Sequence, residues 1–109
     1  MLEKALILAA KAHTGQVDKG GAPYILHPIR VMLACEGEKE KIVALLHDTL
    51  EDTALTAADL RRAGFPEEIV QAVCCLTRGQ KEDYMDYIAR ICENALAARV
   101  KYADLQDNL

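Results

Sequence analysis

Ile42-Val43-Ala44-Leu45-Leu46-His47-Asp48-Thr49-Leu50-Glu51-Asp52 is the stretch on which the reading of this chain turns. Five aliphatic residues run straight into an imidazole and a carboxylate, and two further acids follow one turn later. With Glu38-Lys39-Glu40-Lys41 ahead of it, the spacing predicts one helix over Glu38–Asp52. Ionisable groups on a segment that otherwise buries only aliphatics need partners, because burying unpaired charge is costly or forces neutralisation. A divalent metal is one partner that satisfies both an imidazole and a carboxylate.

Working outward, the 109 residues suffice for one domain spanning 1–109 with a modest core. Half of the residues (51%) are hydrophobic, with four Tyr, one Phe and no Trp, so the core is built from Ala, Leu, Ile and Val. This mix, without alternating runs of β-branched or aromatic residues, favours helices. The net charge of −4 argues against nucleic acid as a partner, since a phosphate-backbone binder carries a basic face. A small phosphorylated substrate remains compatible where a metal and local cations offset its charge. No stretch reaches the ~18–20 apolar residues that cross a bilayer, so no membrane partner is expected. Met1 to Ala10 is too short and too soon followed by Lys11 and His13 for a signal peptide, and reads as a first helix. Cys35, Cys74, Cys75 and Cys92 form no CxxC pair and read as small hydrophobes of a reduced, cytoplasmic protein.

The remaining elements follow from local signals. Leu2–His13 reads as a helix, ended by the glycine-rich loop from Gly15 to Pro23. Tyr24-Ile25-Leu26, bracketed by Pro23 and Pro28, is expected to be extended. His27-Pro28 opens a second helix to about Cys35. Thr56-Ala57-Ala58-Asp59 resembles a capping box ahead of a short helix that stops at Gly64. Pro66 starts a helix to about Leu76, Thr77–Lys81 is a polar link, and Asp83–Cys92 and Asn94–Asn108 complete an all-α chain.

His27, His47, Asp48 and Asp104 are the candidate metal ligands. Two imidazoles and two carboxylates suit Mn²⁺, Fe²⁺ or Zn²⁺ and leave room for water or substrate. Alone, His27 beside Pro28 reads as a cap or a loop residue, and Asp104 as a solvated acid. Glu51 and Asp52 repeat the helix faces of His47 and Asp48 one turn on, where a carboxylate can take a proton from water. A solvated acidic helix end is the bland alternative. Lys19 is the cation best placed for a phosphate, Asn108 either contacts a substrate hydroxyl or caps its helix, and His13 reads as a satisfied packing histidine or one that supports the ligands from behind.

Ala12-His13-Thr14-Gly15-Gln16-Val17, then Lys19-Gly20-Gly21-Ala22-Pro23-Tyr24-Ile25-Leu26-His27-Pro28, resembles the opening of a RelA/SpoT-type hydrolase domain. Ala44-Leu45-Leu46-His47-Asp48-Thr49-Leu50-Glu51-Asp52-Thr53 and Val100-Lys101-Tyr102-Ala103-Asp104-Leu105-Gln106-Asp107-Asn108-Leu109 match its later motifs in the same order. The resemblance spans nearly the whole chain and implies the all-helical HD phosphohydrolase fold, akin to the small stand-alone alarmone hydrolases. It implies Mn²⁺ on His27, His47, Asp48 and Asp104, with Glu51 and Asp52 activating water. Lys19, Tyr24 and Asn108 would line the nucleotide site. The implied reaction is attack of metal-bound water on the 3′-diphosphate of guanosine 3′,5′-bis(diphosphate), releasing pyrophosphate. Asp18 stands where the family has Arg, and an anion there disfavours a polyanionic ligand by ~1 kcal/mol or more. Two alternatives therefore stay open: a phosphohydrolase of another nucleotide, such as the 2′-phosphate of NADPH, and a non-catalytic nucleotide-binding module. Family members continue beyond the last motif with helix that walls the pocket, so a homo-oligomer is a candidate source of that wall.

Overall fold

Ile42, Val43, Ala44, Leu45 and Leu46 are all buried, so the helix that carries them is covered on every side. That helix, α3 (Glu38–Leu46), is the axle of a bundle of eight helices without strands. The computed structural model describes residues 1–109. The other helices are α1 (Leu2–Ala12), α2 (Leu26–Ala34), α4 (Thr49–Asp52), α5 (Ala57–Arg62), α6 (Glu67–Cys75), α7 (Tyr84–Cys92) and α8 (Ala95–Asp107). Helices α1, α2, α6 and α8 all pack against α3. One contiguous aliphatic core draws buried side chains from every helix except α4. Burying one of its Leu or Ile side chains contributes ~1.5–3 kcal/mol. No helix is long and apolar enough to cross a membrane.

Helix starts follow local chemistry. Thr56 and Asp59 form the reciprocal capping box, Asp59 N–H donating to Thr56 Oγ1 at 3.2 Å and Thr56 N–H to Asp59 Oδ2 at 2.9 Å. Asp83 caps α7 and Asn94 caps α8 by accepting first-turn N–H groups. Pro28 sits in the first turn of α2, where its missing N–H has no helical partner to lose. Gly64, just past α5, has φ +96°, the left-handed conformation that suits glycine after a helix end.

Two expected elements differ. The single helix over Glu38–Asp52 is two helices with a corner at His47-Asp48. His47 Nδ1 lies 2.5 Å from the Ala44 carbonyl and the Thr49 hydroxyl donates to the Leu46 carbonyl at 2.8 Å, so side chains take acceptors that a continuing helix would use. Tyr24-Ile25-Leu26 is not extended: Leu26 and His27 N–H donate to the Pro23 and Tyr24 carbonyls, and Leu26 already begins α2. Extended pairing is found one position earlier, where Pro23 bridges to Val17. All four cysteines are free; Cys35 is buried as expected, whereas Cys92 is exposed.

The same stripes that bury the core deliver polar groups to one place. On α2 the buried face runs through His27 and Val31, and on α8 through Leu96, Val100, Ala103 and Asp104. Each stripe ends on an ionisable residue beside the α3–α4 corner.

Candidate metal centre

Four donor atoms converge where α2, α8 and the α3–α4 corner meet. His27 Nε2 lies 2.8 Å from Asp104 Oδ1 and 3.8 Å from Asp48 Oδ2. His47 Nε2 lies 3.1 Å from Asp48 Oδ2 and 3.3 Å from Asp104 Oδ1. These separations match the edges of a coordination shell with bonds of ~2.0–2.2 Å.

The far side of each residue is anchored. His47 donates its Nδ1 proton to the Ala44 carbonyl, and His27 donates its own to Asp107 Oδ2 at 2.6 Å, so both Nε2 atoms face inward. Asp104 Oδ2 accepts from Lys101 Nζ at 3.0 Å, leaving Oδ1 toward the imidazoles. The Tyr24 hydroxyl donates to Asp48 Oδ2. A row of rings, His13, Tyr24, His27 and His47, with neighbouring centroids 5.0–5.8 Å apart, backs the cluster.

His47 Nε2 is buried and makes no well-aimed hydrogen bond, although two carboxylates lie close to it. Lone pairs facing carboxylate oxygens repel unless a cation stands among them. Burial alone would push His47 down, but Asp104 and Asp48 outweigh it and lift it to about 10. Asp104, which burial would raise, is instead held far below the usual carboxylate range by His27, His47 and Lys101. Both shifts state one fact: the cluster demands positive charge. A proton meets it at one nitrogen, and a divalent cation meets it at all four atoms. The donor set therefore fits a transition-metal dication of the Mn²⁺, Fe²⁺ or Zn²⁺ kind.

Glu51 and Asp52 flank the cluster from α4, their carboxylate oxygens within 4.8 Å of that of Asp48 and of each other. The Arg78 backbone N–H donates to Glu51 Oε1 at 2.8 Å, orienting it across the α6–α7 link. Burial, then Asp48 and Glu51, raise the Asp52 carboxyl above its ordinary value. All of this opens onto a cavity of about 790 Å³. Asp18, Asp48, Glu51, Asp52, Asp104 and Asp107 line it against only Lys19 and Arg30 as cations, so a polyanion can enter only together with added positive charge.

No family model matches the sequence. The chain is 32% identical over 120 residues to the guanosine-3′,5′-bis(diphosphate) 3′-pyrophosphohydrolase of Aquifex aeolicus, covering 99% of this chain and 17% of that protein. It is 30% identical over 128 residues to the GTP pyrophosphokinase of Myxococcus xanthus, covering 100% and 17%. A solved structure described as a metazoan ortholog of SpoT that hydrolyzes ppGpp superposes with a TM-score of 0.83 at 26% identity, covering 98% of this chain and 67% of that one. Over its whole length the chain is similar to one segment of these RelA/SpoT-type proteins, and it shares the fold of the solved one. It spans about one sixth of the length of the curated relatives it matches.

The RelA/SpoT-type motifs that stand apart in sequence meet at this cavity. Its walls include His27, Asp48, Glu51, Asp52 and Asp104 together with Lys19, Tyr24 and Asn108. Lys19 is exposed on the glycine loop. Asn108 is the C-cap residue of α8, its backbone N–H on the Asp104 carbonyl. Tyr24 reaches the cluster itself, where burial and Asp48 raise its hydroxyl well above the ordinary tyrosine value, so it stays a donor. Asp18 folds back on its own loop: Oδ1 accepts the N–H groups of Gly20 and Ala22 at 2.9 and 3.0 Å.

Sequence reasoning passed over two residues. Asp107 accepts from both His27 and Arg30, the latter at 2.8 Å, and so fixes which His27 nitrogen carries the proton. Its signal was its place three residues after Asp104, on the same face. Arg30 adds a second cation to the cavity wall and follows His27 by three residues. Of the two readings of His13, full satisfaction is not met: Nδ1 lies 2.9 Å from Gln16 Oε1, but Nε2 is buried without a partner.

Proposed function

We propose that this chain is a divalent-metal-dependent guanosine-3′,5′-bis(diphosphate) 3′-pyrophosphohydrolase, with residues 1–109 forming one HD-type hydrolase unit. The observation that carries the reading is the inward convergence of His27 Nε2, His47 Nε2, Asp48 Oδ2 and Asp104 Oδ1 beside Glu51 and Asp52. The relatives named above as acting on this nucleotide support it.

His27, His47, Asp48 and Asp104 would hold the cation, with Mn²⁺ the metal that the family resemblance favours. When bound, it lowers the pKa of water and neutralises charge on phosphoryl oxygens. The chain's own groups do the remaining work. Glu51 and Asp52 accept the proton of the attacking water, whose oxygen bonds to the phosphorus nearest the ribose. The bond from that phosphorus to the ribose 3′-oxygen breaks, pyrophosphate departs, and the 3′-oxygen takes up a proton. The raised Asp52 carboxyl is suited to carry a proton between these events. Lys19 and Arg30 meet the phosphates at the cavity mouth, and Asn108 offers its amide to the sugar. Because Asp18 spends one oxygen on its own loop and faces Arg30 in charge, it opposes the ligand less than a free carboxylate would.

Incubating Mn²⁺-loaded protein with guanosine tetraphosphate and with NADPH, and following pyrophosphate and phosphate separately, tests this. Pyrophosphate from guanosine tetraphosphate alone is expected. Phosphate from NADPH, or turnover of neither, would refute the substrate assignment.

A further inference from the structure

Ala12–Val17 runs from the end of α1 into the glycine loop, and the chemistry above uses none of it. At its centre His13 caps α1 and is only 2% exposed. The Gln16 amide is engaged at both ends: Nε2 donates to the Asp52 carbonyl at 3.0 Å, and Oε1 lies 2.9 Å from His13 Nδ1. An amide that donates through its nitrogen accepts through its oxygen, so His13 Nδ1 carries the proton. Nε2 of the same ring has no partner. The ring also lies 5.0 Å from that of Tyr24, whose hydroxyl donates to Asp48.

The segment being held needs holding. Helix α4 has four residues, a single turn that cannot sustain itself, and its last carbonyls lack helical partners. Gln16 reaches the last of these from 36 residues away. The carboxylates of Glu51 and Asp52 project from that turn.

We propose that His13 is a positioning residue: through Gln16 it fixes the turn bearing Glu51 and Asp52, and through its ring it backs Tyr24 on Asp48. This rests on the hydrolase reading above. It explains why the segment holds a buried histidine that uses one nitrogen only, and it assigns the work to Nδ1. Misplacing a reacting group by about 1 Å costs on the order of a hundredfold in rate.

The unpartnered Nε2 makes a sharp test. His13→Asn puts an amide N–H where Nδ1–H sits, whereas His13→Gln puts one where Nε2 sits, and His13→Ala supplies neither. We expect His13→Ala and His13→Gln to lower kcat about tenfold to a hundredfold with KM near native. His13→Asn should recover the greater part of kcat. Gln16→Met, which removes both bonds at similar length, should repeat the loss seen with His13→Ala. The bond itself is read by NMR: side-chain amide protons of Gln16 exchange slowly in the native protein and His13→Asn, and fast in His13→Ala and His13→Gln. Native kcat in His13→Ala, or equal kcat in His13→Asn and His13→Gln, would overturn the proposal. If the native protein hydrolyses no nucleotide, the substrate reading falls, and the amide exchange still decides: identical exchange in native and His13→Ala overturns the bracing.

Discussion

Replacing Asp107 by Ala removes a carboxylate that touches no candidate metal-binding atom and yet aims one of them. His27 Nδ1 lies 2.6 Å from Asp107 Oδ2, and Arg30 Nε lies 2.8 Å from the other oxygen. Without Asp107 the His27 ring is free to rotate or to carry its proton on Nε2, which cancels it as a ligand until the proton moves. A charge-assisted hydrogen bond is worth ~1.5–3 kcal/mol where water is excluded. The Asp107 side chain is 17% exposed, so water replaces part of the bond and the lower end applies. The expected loss is about 1.4 kcal/mol, a factor of ten in Mn²⁺ affinity. Asp107→Asn should lose less, because its amide oxygen still accepts from His27 while its NH₂ merely opposes Arg30. Titration calorimetry of Mn²⁺ into the metal-free proteins measures both variants, with thermal unfolding as the control for folding. Native Mn²⁺ affinity in Asp107→Ala would refute the claim that Asp107 orients His27.

Glu51→Gln should keep metal affinity and fold but lower kcat by at least about a hundredfold in a pyrophosphate-release assay, and an undiminished kcat would remove Glu51 from proton transfer. Leu45→Ala, at a fully buried position of α3, should cost ~2–5 kcal/mol in urea unfolding, whereas Leu33→Ala, exposed on α2, should stay within ~0.5 kcal/mol. Glu82 is held at about 2, against 4.5 ordinarily, first by the Arg90 guanidinium and then by the Gly79 N–H. A carboxyl depressed in the folded state stabilises above its unfolded value and loses that contribution as pH falls from 4.5 toward 2. Glu82→Gln should therefore flatten the fall of Tm with acidification in that window, and an unchanged Tm-against-pH profile would contradict the pairing.

The all-helical fold was legible because its signals are local. Thr56 and Asp59, Asp83 and Asn94 mark helix starts within three residues of the groups they cap, and the aliphatic run of α3 announces a helix covered on all sides. His47 and Asp48 stood out because they end an apolar run, whereas His27 and Asp104, which alone read as a cap or loop residue and a solvated acid, joined them through the shared ligand chemistry and the family resemblance. The corner at His47-Asp48 was not legible, since a threonine after an apolar run looks like one more helical residue until its hydroxyl is seen on the Leu46 carbonyl. Asp107 and Arg30 were passed over because their meeting joins residues 77 apart in sequence. Tyr24 was expected along the nucleotide site, and its bond to Asp48 depends on the turn that replaces the expected extended segment.

The central claim is that four side chains from α2, the α3–α4 corner and α8 form one metal centre. Anomalous diffraction at the manganese edge from crystals grown with Mn²⁺ tests it directly. The expected result is a single strong peak ~2.0–2.3 Å from His27 Nε2, His47 Nε2, Asp48 Oδ2 and Asp104 Oδ1, absent from Asp48→Ala crystals. A peak elsewhere, or none at saturating Mn²⁺, would contradict it.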